Sequence, residues 1–233
     1  VRLVGSEMCI RDRLETSQQW IETYDSQRDF SKLAMAYALR AEALRYSGNE
    51  DQVQSTIEEG LRFANIADDP VATALLRINQ GWYFLQRGIL NRAAASASYA
   101  VEAAKTSGNS NLFIEAEILE AQVFHDSGDV ARALEILESL EAEQRSDLPR
   151  LQLEFHSLIG AIYLDVGATG IALEHIRDAY EIARDALGAW DRSVAEYNLA
   201  RAYARTGELS QAREFFEQAL QTSRSINDGR GVA

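Results

Sequence analysis

Residues 197–220 read YNLARAYARTGELSQAREFFEQAL, and this stretch decides the fold. An apolar helical pattern carrying Ala200 and Tyr203 runs into Gly207, and a second apolar pattern opens behind it with Ala212. A glycine just past a helix end takes the left-handed backbone conformation without a Cβ penalty, so it turns the chain back on itself tightly. Working outward, the same arrangement recurs at Gly48, Gly88, Gly128, Gly167 and Gly207, at intervals of 40, 40, 39 and 40 residues. Self-similarity at such a period marks a repeat architecture and overrides any domain count taken from length.

Composition agrees. Two prolines leave little room for a β-rich design, and alanine, leucine, glutamate, glutamine and arginine favour helix nearly throughout. With 46% hydrophobic and 9% aromatic residues there is material for a core. The net charge of −13 repels phosphate, which argues against nucleic acid and anionic membrane as direct partners. No apolar run approaches the ~20 residues of a membrane-spanning helix.

The first thirteen residues, VRLVGSEMCIRDR, differ in composition from the rest of the chain and resemble translated sequencing-adapter read-through. They read as a non-native leader, which would make Cys9, the single cysteine, foreign to the protein. Residues 14–29 read as the second helix of a truncated repeat, with a helix from Leu14 to about Ser26. Five hairpins fill 30–226, and 227–233 begin a further, truncated repeat. The helix ends are expected near Glu50–Ile66, Asp69–Arg87, Leu90–Ser107, Asn111–Ser127, Asp129–Ala142, Leu148–Val166, Gly170–Leu187, Asp191–Thr206 and Glu208–Ile226. Asp69-Pro70 supplies an N-cap and a first-turn proline whose missing N–H is harmless.

In phase with the glycines lie small residues (Ala41, Gly81, Ala121, Gly160, Ala200), then bulky ones (Leu44, Phe84, Phe124, Tyr163, Tyr203), and after the turn Val53, Ala93, Ala133, Ala172 and Ala212. Small residues let two helices touch while the large one fills the groove beside them. This pattern resembles the tetratricopeptide repeat in its longer, roughly 40-residue form. Departures are specific: the family's early tryptophan is replaced by Tyr37, Arg77, Glu117, His156 and Glu196, and its leucine by Arg40, Gln80 and Glu120 in the first three copies. The resemblance implies an all-α, right-handed solenoid of antiparallel helix hairpins whose first helices line a concave groove.

Carried over by turn phase, that groove would take a protein or peptide partner on Arg45, Tyr46, Trp82, Gln86, Gln122, His125, Tyr197, Arg201 and Arg205. Trp82 is either a binding anchor or a packing residue between helices. Arg201 and Arg205, four apart, project together and would receive a carboxylate, unless Glu208 or another acidic neighbour satisfies them.

Catalysis is poorly supplied. His125, His156 and His175 read as lying in different repeats, in packing or surface roles, with no HExxH pair, no phosphate-cradling glycine run and no expected metal or cofactor. The chain is therefore expected to be a binding scaffold and not an enzyme. It would be the interaction or sensory segment of a larger bacterial regulatory protein with a GGDEF or helix-turn-helix output domain; a free-standing assembly scaffold or co-chaperone-like adaptor is the alternative. The expected location is the cytoplasm, although residues 1–13 supply no true N-terminus in which to read a signal peptide. The oligomeric state is not readable.

Overall fold

A computed structural model describes residues 7–143 and 147–228, which fold into eleven helices. They are α1 (Glu7–Gln27), α2 (Phe30–Ser47), α3 (Glu50–Ala67), α4 (Pro70–Gln86), α5 (Leu90–Ser107), α6 (Ser110–Asp126), α7 (Val130–Glu143), α8 (Pro149–Asp165), α9 (Thr169–Ala186), α10 (Ala189–Thr206) and α11 (Leu209–Asp228). No strand occurs among the described residues. Most ends fall within one or two residues of their sequence expectation. Residues 1–6 of the leader and 229–233 of the expected further repeat lie outside the described residues, as do the side chains of Glu7, Met8 and Cys9.

One boundary is corrected. Helix α1 begins at Glu7, seven residues before the expected Leu14. The physical reason is that EMCIRDR contains neither proline nor glycine, so nothing stops the helix from extending upstream. Arg13 then reaches Glu42 of α2 at 3.9 Å, with both side chains largely covered.

All five ladder glycines adopt positive φ, between +68° and +86°. The N–H of the residue after each glycine closes back on the bulky residue of the pattern: Asn49 on Leu44 O, Ile89 on Phe84 O, Asp129 on Phe124 O, Ala168 on Tyr163 O and Glu208 on Tyr203 O, at 2.9–3.2 Å. This Schellman-type closure satisfies carbonyls that the helix end leaves open. A second ladder, in phase at the junctions between hairpins, is invisible to a count of glycines. Arg28 (φ 56°), Asp68 (φ 50°) and Gly108 (φ 66°) all turn left-handed at a 40-residue spacing. Behind each stands a side chain that caps the next helix: Asp29 accepts from Lys32 N, Asp69 from Ala72 N and Asn109 from Leu112 N.

The helices group into two compact units, residues 7–136 and 137–228. In the first, α2 packs on α3 and α4 on α5, while α2 touches α4 and α4 touches α6, so first helices contact one another directly. Its core runs through Leu33, Ile57, Leu76, Ala97 and Leu119, with a second cluster around Ile78, Ala100 and Leu112. In the second unit α8 packs on α9 and α10 on α11, with α9 and α8 both against α10. Leu164, Ile176, Leu199 and Tyr203 form one core there, and Leu153, Ala179, Ala183 and Ala195 another. The small positions matter at atomic distance. A Cβ placed on Gly160 would meet Ile176 Cγ1 at 2.6 Å and the Ala172 carbonyl at 3.3 Å.

Candidate functional site

The first helices carry the residues read as a groove. In unit 7–136 those residues are mostly engaged with their own helix or core. The Arg45 guanidinium lies 4.4 Å over the Tyr46 ring, and both side chains are half-buried. Trp82 is half-buried and packs against both apolar clusters of this unit. Gln86, one turn on, is exposed. Gln122 donates to Asp126 Oδ1 at 2.7 Å, and His125 Nδ1 stands 3.6 Å from the same oxygen.

In unit 137–228 the corresponding helix is α10. Tyr197 is 50% exposed, touching Phe216 edge-on at 5.6 Å, with the Arg201 guanidinium 5.9 Å from its ring. Val194, one turn earlier, is also exposed. Arg205 is tied down: its Nη2 donates to Leu164 O at 3.1 Å and stands 3.8 Å from Asp165 Oδ1. It thereby satisfies a carbonyl at the C-terminal end of α8, where a cation also complements the helix dipole. Arg201 and Arg205 share a face, but only Arg201 is left pointing along Tyr197.

Three polar arrangements lie beyond what the sequence pattern predicts. At the departures from the repeat pattern, Gln80 is buried and its Oε1 accepts from Ser96 Oγ at 3.1 Å and Arg77 Nη1 at 2.8 Å. Alanine-rich α5 leaves the room, and its one buried serine supplies the partner; the leucine rule gives no hint of either. Arg150 of α8 donates to Glu154 at 2.8 Å and to buried Asp191 of α10, one repeat away. Burial pushes the Asp191 carboxyl above its ordinary range despite the Arg150 charge beside it.

The third arrangement corrects an expectation. His156 and His175 do not lie in separate repeats: they face each other across the α8–α9 hairpin with Nδ1 atoms 3.1 Å apart, and Asp178 Oδ2 is 3.8 Å from His156 Nδ1. Counting repeats along the chain hides a pair that forms across one. The signal is present in the sequence, because both residues lie in the fourth hairpin on either side of Gly167.

Residues 152–225 match the tetratricopeptide repeat family. No curated protein sequence gives a match. Among solved structures, BtubC (BKLC) from P. vanneervenii superposes with a TM-score of 0.63 at 17% identity, covering 94% of this chain and 92% of that one. The apo form of the quorum sensor NprR from B. thuringiensis gives a TM-score of 0.70 at 15% identity over 93% of this chain and 62% of its own. NprR in complex with its cognate peptide NprX gives 0.68 at 18% identity, over 96% and 70%. At these identities the likeness is one of fold. The chain spans roughly two thirds of NprR.

Proposed function

Residues 152–225 carry tetratricopeptide repeats, and from that premise we propose that the chain is a peptide- or protein-binding scaffold working through the outward faces of its first helices. The observation that carries this reading is the aromatic–cation pair on α10: Tyr197 and Arg201 are exposed and adjacent, and Val194 extends the same face. Tyrosine and arginine dominate binding energy where they become covered, because one buries a large rigid ring and the other forks onto carboxylates. An acidic or C-terminal carboxylate placed at Arg201, with an apolar side chain on Tyr197 and Val194, is the peptide chemistry this face fits. Nothing in the reading calls for a catalytic step or a cofactor.

The structural neighbour NprR, solved with its cognate peptide, supports the peptide-binding part of this reading; the finer proposal is that the chain is the interaction or sensory segment of a larger bacterial regulatory protein. A free-standing assembly scaffold is the second reading.

The test is a peptide-library selection against the chain, followed by dissociation constants for the selected peptide. Tyr197→Ala and Arg201→Glu are each expected to weaken binding at least about tenfold, the size of one lost anchor of roughly 1.4 kcal/mol. Trp82→Ala is a poor probe, because losing its packing would disturb two clusters at once. Affinity unchanged in both α10 variants would remove this face as the site.

A further inference from the structure

We propose that the fourth hairpin holds a divalent transition-metal ion, zinc being the best fit, between His156, His175 and Asp178. The three ligand atoms all lie within 4.8 Å of one another. Two imidazole nitrogens bound to one zinc ion at about 2.0–2.1 Å stand roughly 3.3 Å apart in tetrahedral geometry. The observed 3.1 Å between the two Nδ1 atoms is within a small side-chain adjustment of that value. Asp178 Oδ2, at 3.8 Å from His156 Nδ1, needs only a modest rotation to complete a His–His–carboxylate set. Two nitrogens and an oxygen suit zinc, cobalt or nickel far better than calcium or magnesium, which take oxygen ligands.

The scaffold explains why the ligands meet. His175 and Asp178 are three apart on α9 and therefore share a face. His156 comes from α8, one turn before Gly160, whose missing side chain lets the two helices close. A Cβ there would stand 3.4 Å from His175 Cβ as well as against Ile176. The rings are held from several sides. Tyr163 stacks on His175 at 6.0 Å and an interplanar angle of 9°, and Phe155 meets the edges of His156 and His175 at 5.2 and 6.4 Å. Tyr163 is itself oriented by donating to Glu138 at 2.9 Å. Such outer contacts fix ligand rings and are a regular part of metal sites. Asp178 is exposed, so the remaining coordination positions face solvent, open to water or to a carboxylate from a partner. The ion would clamp α8 to α9, and it is independent of the α10 face.

The experiment uses the full chain stripped of metal, titrated with zinc against a chromophoric chelator and with cobalt(II) followed by its visible absorption. One ion per chain is expected, together with a rise in melting temperature on adding zinc. His175→Asn and His156→Asn should each abolish the binding, Asp178→Asn should weaken it about tenfold or more, and His125→Asn should leave it unchanged. Circular dichroism melts without metal separate lost ligands from lost folding, and cobalt absorption of the wild-type chain stands without any variant. Absence of zinc and cobalt binding in the wild type, or binding that survives both histidine substitutions, would overturn the site and leave the two rings as a hydrogen-bonded pair.

Discussion

Glu117 and Glu120 show what happens when a repeat position built for an apolar side chain receives a carboxylate. Both are half-buried on α6, and burial holds both above the ordinary carboxyl range; the charge of Glu120 pushes Glu117 further, with Lys105 acting weakly against the shift on each. A carboxyl with a higher pKa folded than unfolded takes up protons preferentially in the folded chain. Its destabilising effect is therefore full at neutral pH, shrinks as pH falls through the raised value and is gone near the unfolded value. Glu120→Gln should raise the melting temperature at pH 7 by a few degrees at most, and the gain should vanish by about pH 4. Thermal melts of both proteins at several pH values check this; a gain that persists at pH 4 would mean the carboxylate is not what costs stability there.

Turns and caps set the helices, and here the sequence is both most and least legible. Glycines announce five turns because few other residues accept positive φ cheaply, and the helix ends follow from them. The junction turns stay hidden because Arg28 and Asp68 hold the same conformation without a glycine to mark it. Two substitutions separate these cases. Gly128→Val places a β-branched residue at φ +86° and should cost at least about 1 kcal/mol in urea melts. Asp68→Gly, at φ +50°, should be neutral or stabilising by up to about 1 kcal/mol, because the strain of a left-handed non-glycine is relieved. A neutral Gly128→Val would count against the left-handed turn. The candidate site is less legible than the fold for a related reason. Phase counting places Trp82, Tyr197 and Arg201 on first helices, but whether each is covered depends on neighbours one repeat away, as Arg205 on Leu164 and Asp165 shows. It also cannot pair His156 with His175, since it tracks each helix against its copies and not against its partner.

Across the molecule, a stack of hairpins is stabilised by interfaces between neighbours, so protection should follow how many neighbours a helix has. Among the described residues α11 packs mainly on α10, with Phe215 also edge-on to Tyr180 of α9 at 5.4 Å, and its Leu209, Phe216 and Leu220 are exposed, whereas α9 is held by both α8 and α10. Amide hydrogen exchange should therefore be faster in α11 than in α9; equal protection would show that α11 has support these contacts do not account for. A stack also carries a hazard that a single-core fold lacks: its hairpins resemble each other enough to pair one turn out of place. The buried amide of Gln80, bonded to Ser96 and Arg77, bears on that hazard. Slide α5 by one turn along α4 and an alanine replaces the serine, leaving a buried polar group without that partner, a loss of about 1–3 kcal/mol. Because no other copy has the same Gln–Ser combination in phase, the pair acts as a register pin for the second hairpin, favouring one alignment of α5 on α4 over its neighbours.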